Sequence, residues 1–314
     1  MQLVQRGKLV VAHPERRAQR ALQRLVGAAP CPVEVVADLD ALEAAVDAET
    51  IAVVDVGLAR LRPEIRTRPA RAWIAVPGEG LAPAEAEVVD ALLAAGWTHV
   101  VAQPMPLLAE ELLATVQKLL RGDVFGLEKY VTWAAEIRSF PLGDALDRNA
   151  AVAAVASDVV GMGLPERAGS MISVIADELL ANAIYVAPVD EAGRRFRARA
   201  PRDEGRVLTG RDEVTMRWSI DARYLAIEVR DRWGSLDEAM IAAHLASGAR
   251  RAVEGEGGMG LPLVYACSNQ LVIDTAPSAF TEVIALLDVR YKPTELGRSA
   301  SFHTFRGTFG GPPP

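Results

Sequence analysis

The stretch ISVIADELLANAIYV, residues 172–186, decides how the second half of the chain is read. Ile172, Ile175, Leu179, Ala183 and Val186 recur at steps of three and four, the spacing of a packed helix. Glu178 and Asn182 lie four residues apart and share one side of it. Two readings of the pair stand together: a core amide beside a rim carboxylate, or two groups of a site. The residues downstream separate them.

Residues 214–220 and 225–230 read as the strands of an antiparallel hairpin turned at Asp221-Ala222-Arg223. The second strand runs directly into Asp231-Arg232-Trp233-Gly234. Further on, Gly255-Glu256-Gly257-Gly258-Met259-Gly260-Leu261 opens an apolar helix over residues 262–269, and strands follow at 271–273 and 281–289. A lone glycine cluster says little, because glycines mark turns everywhere. Three motifs in this order, with strands and helices between them, resemble the GHKL family of ATP-binding domains. The helical lead-in and the ELLANA helix are more similar to anti-sigma-factor serine kinases than to chaperones or topoisomerases.

That resemblance implies an α/β sandwich of the GHKL (Bergerat) type with a mixed sheet over residues 144–290, and ATP with Mg²⁺ as its ligands. Asn182 then offers an amide oxygen to a Mg²⁺ that rides on the triphosphate. Glu178, one turn earlier, accepts a proton from an attacking hydroxyl or water. Asp231 accepts a hydrogen bond from the adenine amino group, and Thr281 helps hold the adenine end. Gly257, Gly258, Gly260 and Leu261 bring backbone amides to the phosphates at a helix N-terminus. Gly234 is counted with this binding set. The family's glycine two residues after the aspartate is Trp233 here, so an indole either stacks on the base or fills the pocket. No basic residue stands near Val186, and no glycine immediately precedes Thr281.

The first third reads differently. Apolar runs at residues 9–12, 33–36, 51–56, 72–76 and 99–102 alternate with helical segments at 16–25, 41–48, 83–95 and 107–120. Continuous apolar strands between helices imply a parallel sheet covered on both faces, the flavodoxin-like doubly wound pattern. Residues 1–121 resemble a response-regulator receiver domain, with Asp55 ending the third strand. The acidic pair of that family is Ala12-His13 here, and Gln103-Pro104 stands at the family's Lys-Pro. Without those carboxylates a hard-cation site lacks most of its oxygen ligands, so a docking or dimerisation module is expected rather than a phosphorylated one. His13 reads as a loop histidine.

Residues 122–143 read as a helical connector, with Leu127, Tyr130, Val131, Ala134 and Ile137 on one stripe and Asp144 capping the next helix. No histidine occurs from 102 to 243, so a self-phosphorylating histidine kinase is excluded. Residues 188–213 are polar and rich in arginine, read as a solvated loop or hairpin; an acidic protein surface is its sharper target. Residues 235–256 stand where the family has a lid, with Arg250 and Arg251 in reach of a γ-phosphate. In the tail, residues 291–314, Phe302, Phe305 and Phe309 around His303 point to partial docking.

The chain has 314 residues, suited to two domains, and a net charge of −7 that argues against nucleic acid as a partner. Cys31 and Cys267 are too few for a disulfide framework and read as core thiols. No apolar run approaches the roughly 18 residues of a membrane span, and a cytoplasmic location without membrane insertion is expected. Taken together, the residues describe a signalling protein that binds Mg²⁺-ATP and switches contacts with a protein partner or a second copy of itself. Either occupancy or phosphoryl transfer to a partner Ser or Thr sets its state. The alternatives are a non-catalytic scaffold and a slow ATPase with lid-driven switching.

Overall fold

The structure, a computed structural model, describes residues 7–236, 241, 245, 260–289 and 299–307. The chain divides into two compact units, one of Met1–Val124 with Thr294–His303, the other of Phe125–Pro293 with Thr304–Pro314.

In the first unit, strands β1 (Lys8–Ala12), β2 (Val33–Val36), β3 (Thr50–Asp55), β4 (Ala72–Val76) and β5 (His99–Val100) pair in parallel in the order β2-β1-β3-β4-β5. Between and after them run α1 (Arg16–Val26), α2 (Leu39–Ala45), α3 (Val56–Leu61), α4 (Ala86–Ala94) and α5 (Leu107–Arg121). Leu9, Val11, Ile51, Val53 and Ile74 share one core with Leu22 of α1 and Leu112 of α5. The alternate residues Val10, Ala52, Val54 and Ala75 are buried as fully, so both faces of the sheet are covered. The strand order reverses between β1 and β3, as in a doubly wound sheet.

His13 follows β1 in irregular backbone, a loop histidine as expected, and is wholly buried with its Nδ1 accepting from the Glu15 amide at 3.0 Å. The tail contributes strand β11 (Ser301–Arg306), whose start pairs antiparallel with β5 through Phe302–Val100 and His303–His99. Phe302 and Phe305 are buried as the tail's apolar spacing implies, while Phe309 lies outside the described residues. His303 Nε2 meets Glu111 Oε1 at 2.7 Å. Burial pushes Glu111 up to about 8, against a Ser301 hydroxyl bond, and burial with the Lys118 charge holds His303 down to about 3. Both shifts favour the neutral forms of the pair.

The second unit is built on β6 (Ile137–Leu142), β7 (Val214–Ile220), β8 (Tyr224–Asp231), β9 (Gln270–Ala276) and β10 (Phe280–Asp288), in the order β9-β10-β8-β7-β6. The described strands of the chain form both parallel and antiparallel ladders, a mixed α/β architecture; the four ladders within this unit are antiparallel. Helices α6 (Asp147–Gly161), α7 (Glu166–Ala181) and α8 (Gly260–Cys267) pack together, with α7 also against β8. Arg148 of α6 holds Asp177 of α7 in a two-pronged bond at 2.7 and 2.8 Å, which fixes the rotation of α7. Helix and following turn, Glu166–Val186, span 21 residues at a hydropathy of 1.3, apolar and long enough by composition to cross a membrane. Asp177 and Glu178 interrupt it, so it is no continuous apolar run of that length. Ile172, Ile175, Leu179 and Leu180 are instead buried in the domain core. Cys31 and Cys267 are half-buried rather than core thiols.

The expected helical connector is also corrected. Residues 127–129 form one 3-10 turn, Ala134 has φ +67°, and the chain then becomes β6, paired with β7 from Ile137–Ser219 to Leu142–Val214. The local helical stripe loses to two carboxylates from distant strands. Glu282 accepts the Gly126 amide at 2.7 Å and Glu228 the Leu127 amide at 3.0 Å. Arg217 and Arg230 neutralise them, Arg217 Nη2 reaching Glu228 at 2.8 Å and Arg230 Nη2 reaching Glu282 at 2.8 Å.

Burial pushes the fully enclosed Glu228 up to about 7, with the neighbouring Glu282 adding to the rise and Arg217 opposing it. Because its folded value lies above the ordinary value of about 4.3, the proton binds more tightly in the folded state. Its stabilising effect is complete at acid pH and disappears as pH rises through about 7. Arg217→Met pushes Glu228 further up and leaves a buried charge short of a partner. The expected loss is about 3 kcal/mol at pH 8 and clearly less at pH 5, where the carboxyl is protonated. Urea unfolding at both pH values checks this, and an equal loss at both would contradict it.

Candidate functional site

Helix α7 ends at Ala181, and Asn182–Val186 winds on as a π turn closed by the Ala187 amide on the Asn182 carbonyl at 2.8 Å. The regular helix expected through residue 186 thus widens at the proposed ligand itself, a place where such turns often occur in functional sites. Glu178 and Asn182 remain on one side, both half-buried. They line a cavity of about 710 Å³, within the usual range for small-molecule sites. Asp231, Gly260 and Leu261 line the same cavity, with Val229 and Val283 from the sheet and Leu236 and Ile241 beyond it.

Gly260 opens α8 against Glu178 of α7 and Asn182 of the π turn. A Cβ placed on it would lie 2.7 Å from Glu178 Oε2 and 3.3 Å from Asn182 Nδ2. Backbone at a helix start therefore enters space that any side chain would fill, beside a carboxylate and an amide. Asp231 ends β8 opposite Thr281 of β10 and opposite Val214 of β7. Burial pushes its carboxyl up to about 7, opposed by the Trp233 and Gly234 amides and the Thr281 hydroxyl. The Trp233 amide donates to Asp231 Oδ1 at 2.8 Å, so the β8 end is held in a tight turn. Thr281 is fully enclosed behind that carboxylate and does not line the cavity.

Residues 144–285 match the family model of the histidine kinase-like ATPase domain. No curated protein matches the chain. The matched segment runs from just before α6 into β10 and contains Glu178, Asn182, Asp231, Gly260 and Thr281. The sequence reading of an ATPase domain of this kind agrees with the match, and the cavity gathers four of those five residues in one place.

Other expected members of the ATPase-like domain's site fare differently. Gly257 and Gly258 lie outside the described residues, as do Arg250 and Arg251 of the expected lid. Gly234 is a packing residue: with φ +56° it presses on the β9–β10 turn, its carbonyl accepting the Ser278 amide at 3.0 Å, and it is not on the cavity wall. Trp233 does not line the cavity either. Its ring meets Phe196 edge-on at 6.1 Å and carries the Arg211 guanidinium at 4.3 Å, so it anchors the polar insert instead.

The arginine-rich insert is where sequence reasoning missed the site. Arg195, Ala198, Arg199 and Arg202 line the cavity, so this stretch is not simply a solvated face. The signal was present in five arginines between 194 and 202, directly after the Asn182 helix. Nothing in their spacing says which of them turn inward.

Proposed function

We propose that the ATPase-like domain binds Mg²⁺-ATP in this cavity and that the chain acts as a cytoplasmic signalling switch on a protein partner. The observation that carries it is the convergence of Glu178, Asn182, Asp231 and Gly260 on one cavity inside the matched segment. The donor set fits the ligand. Asn182 offers a neutral hard oxygen, suited to a cation that keeps its waters and phosphate oxygens as its other ligands. Gly260 starts α8 on the cavity wall with its backbone directly beside Glu178 and Asn182, and the amides of a helix start favour an anion such as phosphate. Asp231, buried at a strand end, provides an acceptor for an exocyclic amino group. Bound ATP supplies a transferable γ-phosphoryl group. Glu178, beside Asn182, is placed to take the proton of a hydroxyl or water that attacks it, the hydroxyl belonging to a partner Ser or Thr in the kinase reading.

For residues 1–121 we infer a receiver-like docking module. Asp55 supports this: it is buried and its Oδ1 caps α3 by accepting the Leu58 amide at 2.8 Å, while Gln103 donates to the Ser299 carbonyl at 3.0 Å. An aspartate committed to a helix cap is poorly placed as a phosphoacceptor.

Glu178→Gln separates binding from turnover. The amide keeps the shape of the side chain, so Mg²⁺-ATP affinity is expected to stay within about threefold while phosphate loss or transfer falls roughly 100-fold. Unchanged turnover would remove Glu178 as the base. No turnover by the native chain, alone or with a hydroxyl-bearing partner, would favour the ATP-gated or scaffold readings.

A further inference from the structure

The insert between the π turn and β7 divides its arginines into two sets. Arg194 pairs with Asp190 at 2.8 Å, and Arg197 pairs with Asp212 at 2.6 Å. These ties, with Phe196 and Arg211 against Trp233, fix the insert on the domain. Tyr185 of the π turn adds a hydroxyl bond to the Arg202 carbonyl at 3.5 Å, and the Arg202 guanidinium lies 5.8 Å from the Tyr185 ring centre. Arg195, Arg199 and Arg202 turn to the cavity instead. Arg199 and Arg202 are exposed at its wall, and neither forms an ion pair with a carboxylate among the described residues.

Every described cation on that wall comes from this insert, whereas the helices and strands contribute the carboxylates Glu178 and Asp231. A cavity with two carboxylates and no cation would repel a polyanion. Guanidinium groups aimed inward reverse that, since their forked donors match phosphate oxygens. An insert spread on the outer surface for an acidic protein would have no reason to be folded back over Asn182 and Val186. Val186, where no basic residue stands, shares the wall with Arg199 and Arg202.

We infer that the insert holds a polyphosphate chain through Arg199 and Arg202, with Arg195 behind them, and that Trp233 serves as the anchor that keeps it over the cavity. This deepens the nucleotide reading and rests on it for the identity of the base, but not for the polyphosphate.

The test titrates the full chain by calorimetry with ATP, tripolyphosphate and adenosine, each with Mg²⁺, beside the Arg199→Gln/Arg202→Gln double variant. Both side chains are exposed, so the variant's melting temperature should match the native one. Affinity for ATP and for tripolyphosphate is expected to fall roughly 10- to 100-fold, with adenosine binding unchanged. Arg206→Gln, in the same insert but off the cavity wall and outside those ties, should leave all three unchanged. Equal ATP affinity in the double variant, or an equal loss in Arg206→Gln, would overturn the inference and leave the nucleotide reading standing. Arginine-dependent binding of tripolyphosphate with no preference for ATP would support the insert's role and overturn the adenine assignment. No binding of any ligand by the native chain would overturn both.

Discussion

Gly234→Ala is expected to remove most of the stability of the ATPase-like domain. The residue sits at φ +56°, a left-handed conformation that costs an alanine about 1–2 kcal/mol on its own. The larger penalty is steric. A Cβ would lie 2.2 Å from the Ala276 carbonyl oxygen and 2.7 Å from the Ser278 and Ala279 amide nitrogens. All three are backbone atoms of the β9–β10 turn, which cannot swing aside as a flexible side chain would. Relief would require breaking the Ser278–Gly234 backbone bond and separating the β8 end from the turn. A loss above about 4 kcal/mol follows, against total domain stabilities of about 5–15 kcal/mol. Thermal melting of the full chain measures it. A loss below about 1 kcal/mol would show that this turn gives way far more easily than its packing implies.

The same position shows how the sequence was legible and where it was not. A glycine beside Asp231, in the right order among other motifs, pointed to the neighbourhood of the site. It did not say whether the missing side chain made room for a ligand or for the protein's own backbone, because both demands select glycine. Trp233 raised the matching question and answers it by facing Phe196 and Arg211 rather than the cavity. Strands β1, β3 and β4 were readable as unbroken apolar runs because both of their faces are buried. Residues 125–140 misled because their stripe fits a helix locally, while the deciding contacts come from Glu228 and Glu282, more than 100 residues away. Helix α3 was missed because its cap is Asp55, a residue read through a different resemblance. The inward turn of Arg199 and Arg202 depends on ties made by their neighbours, which no spacing rule encodes.

Asn182→Ala is expected to have the largest effect on binding, and it isolates one function cleanly. The bond that closes the π turn runs from the Ala187 amide to the backbone carbonyl of residue 182, so an alanine keeps it. Alanine also suits a helical backbone at least as well as asparagine. Asn182 is only half-buried, and its amide faces Gly260 and the cavity rather than the core, so its removal leaves no crushed packing behind. What disappears is the neutral oxygen proposed to hold the cation at the phosphates. Calorimetric titration of the native chain with Mg²⁺-ATP, repeated with Asn182→Ala, is therefore the most direct measurement. Saturable binding by the native chain, weakened about 100-fold in a variant with an unchanged melting temperature, is the predicted result. No binding by the native chain, or the same affinity in both proteins, would contradict the assignment of this cavity to Mg²⁺-ATP.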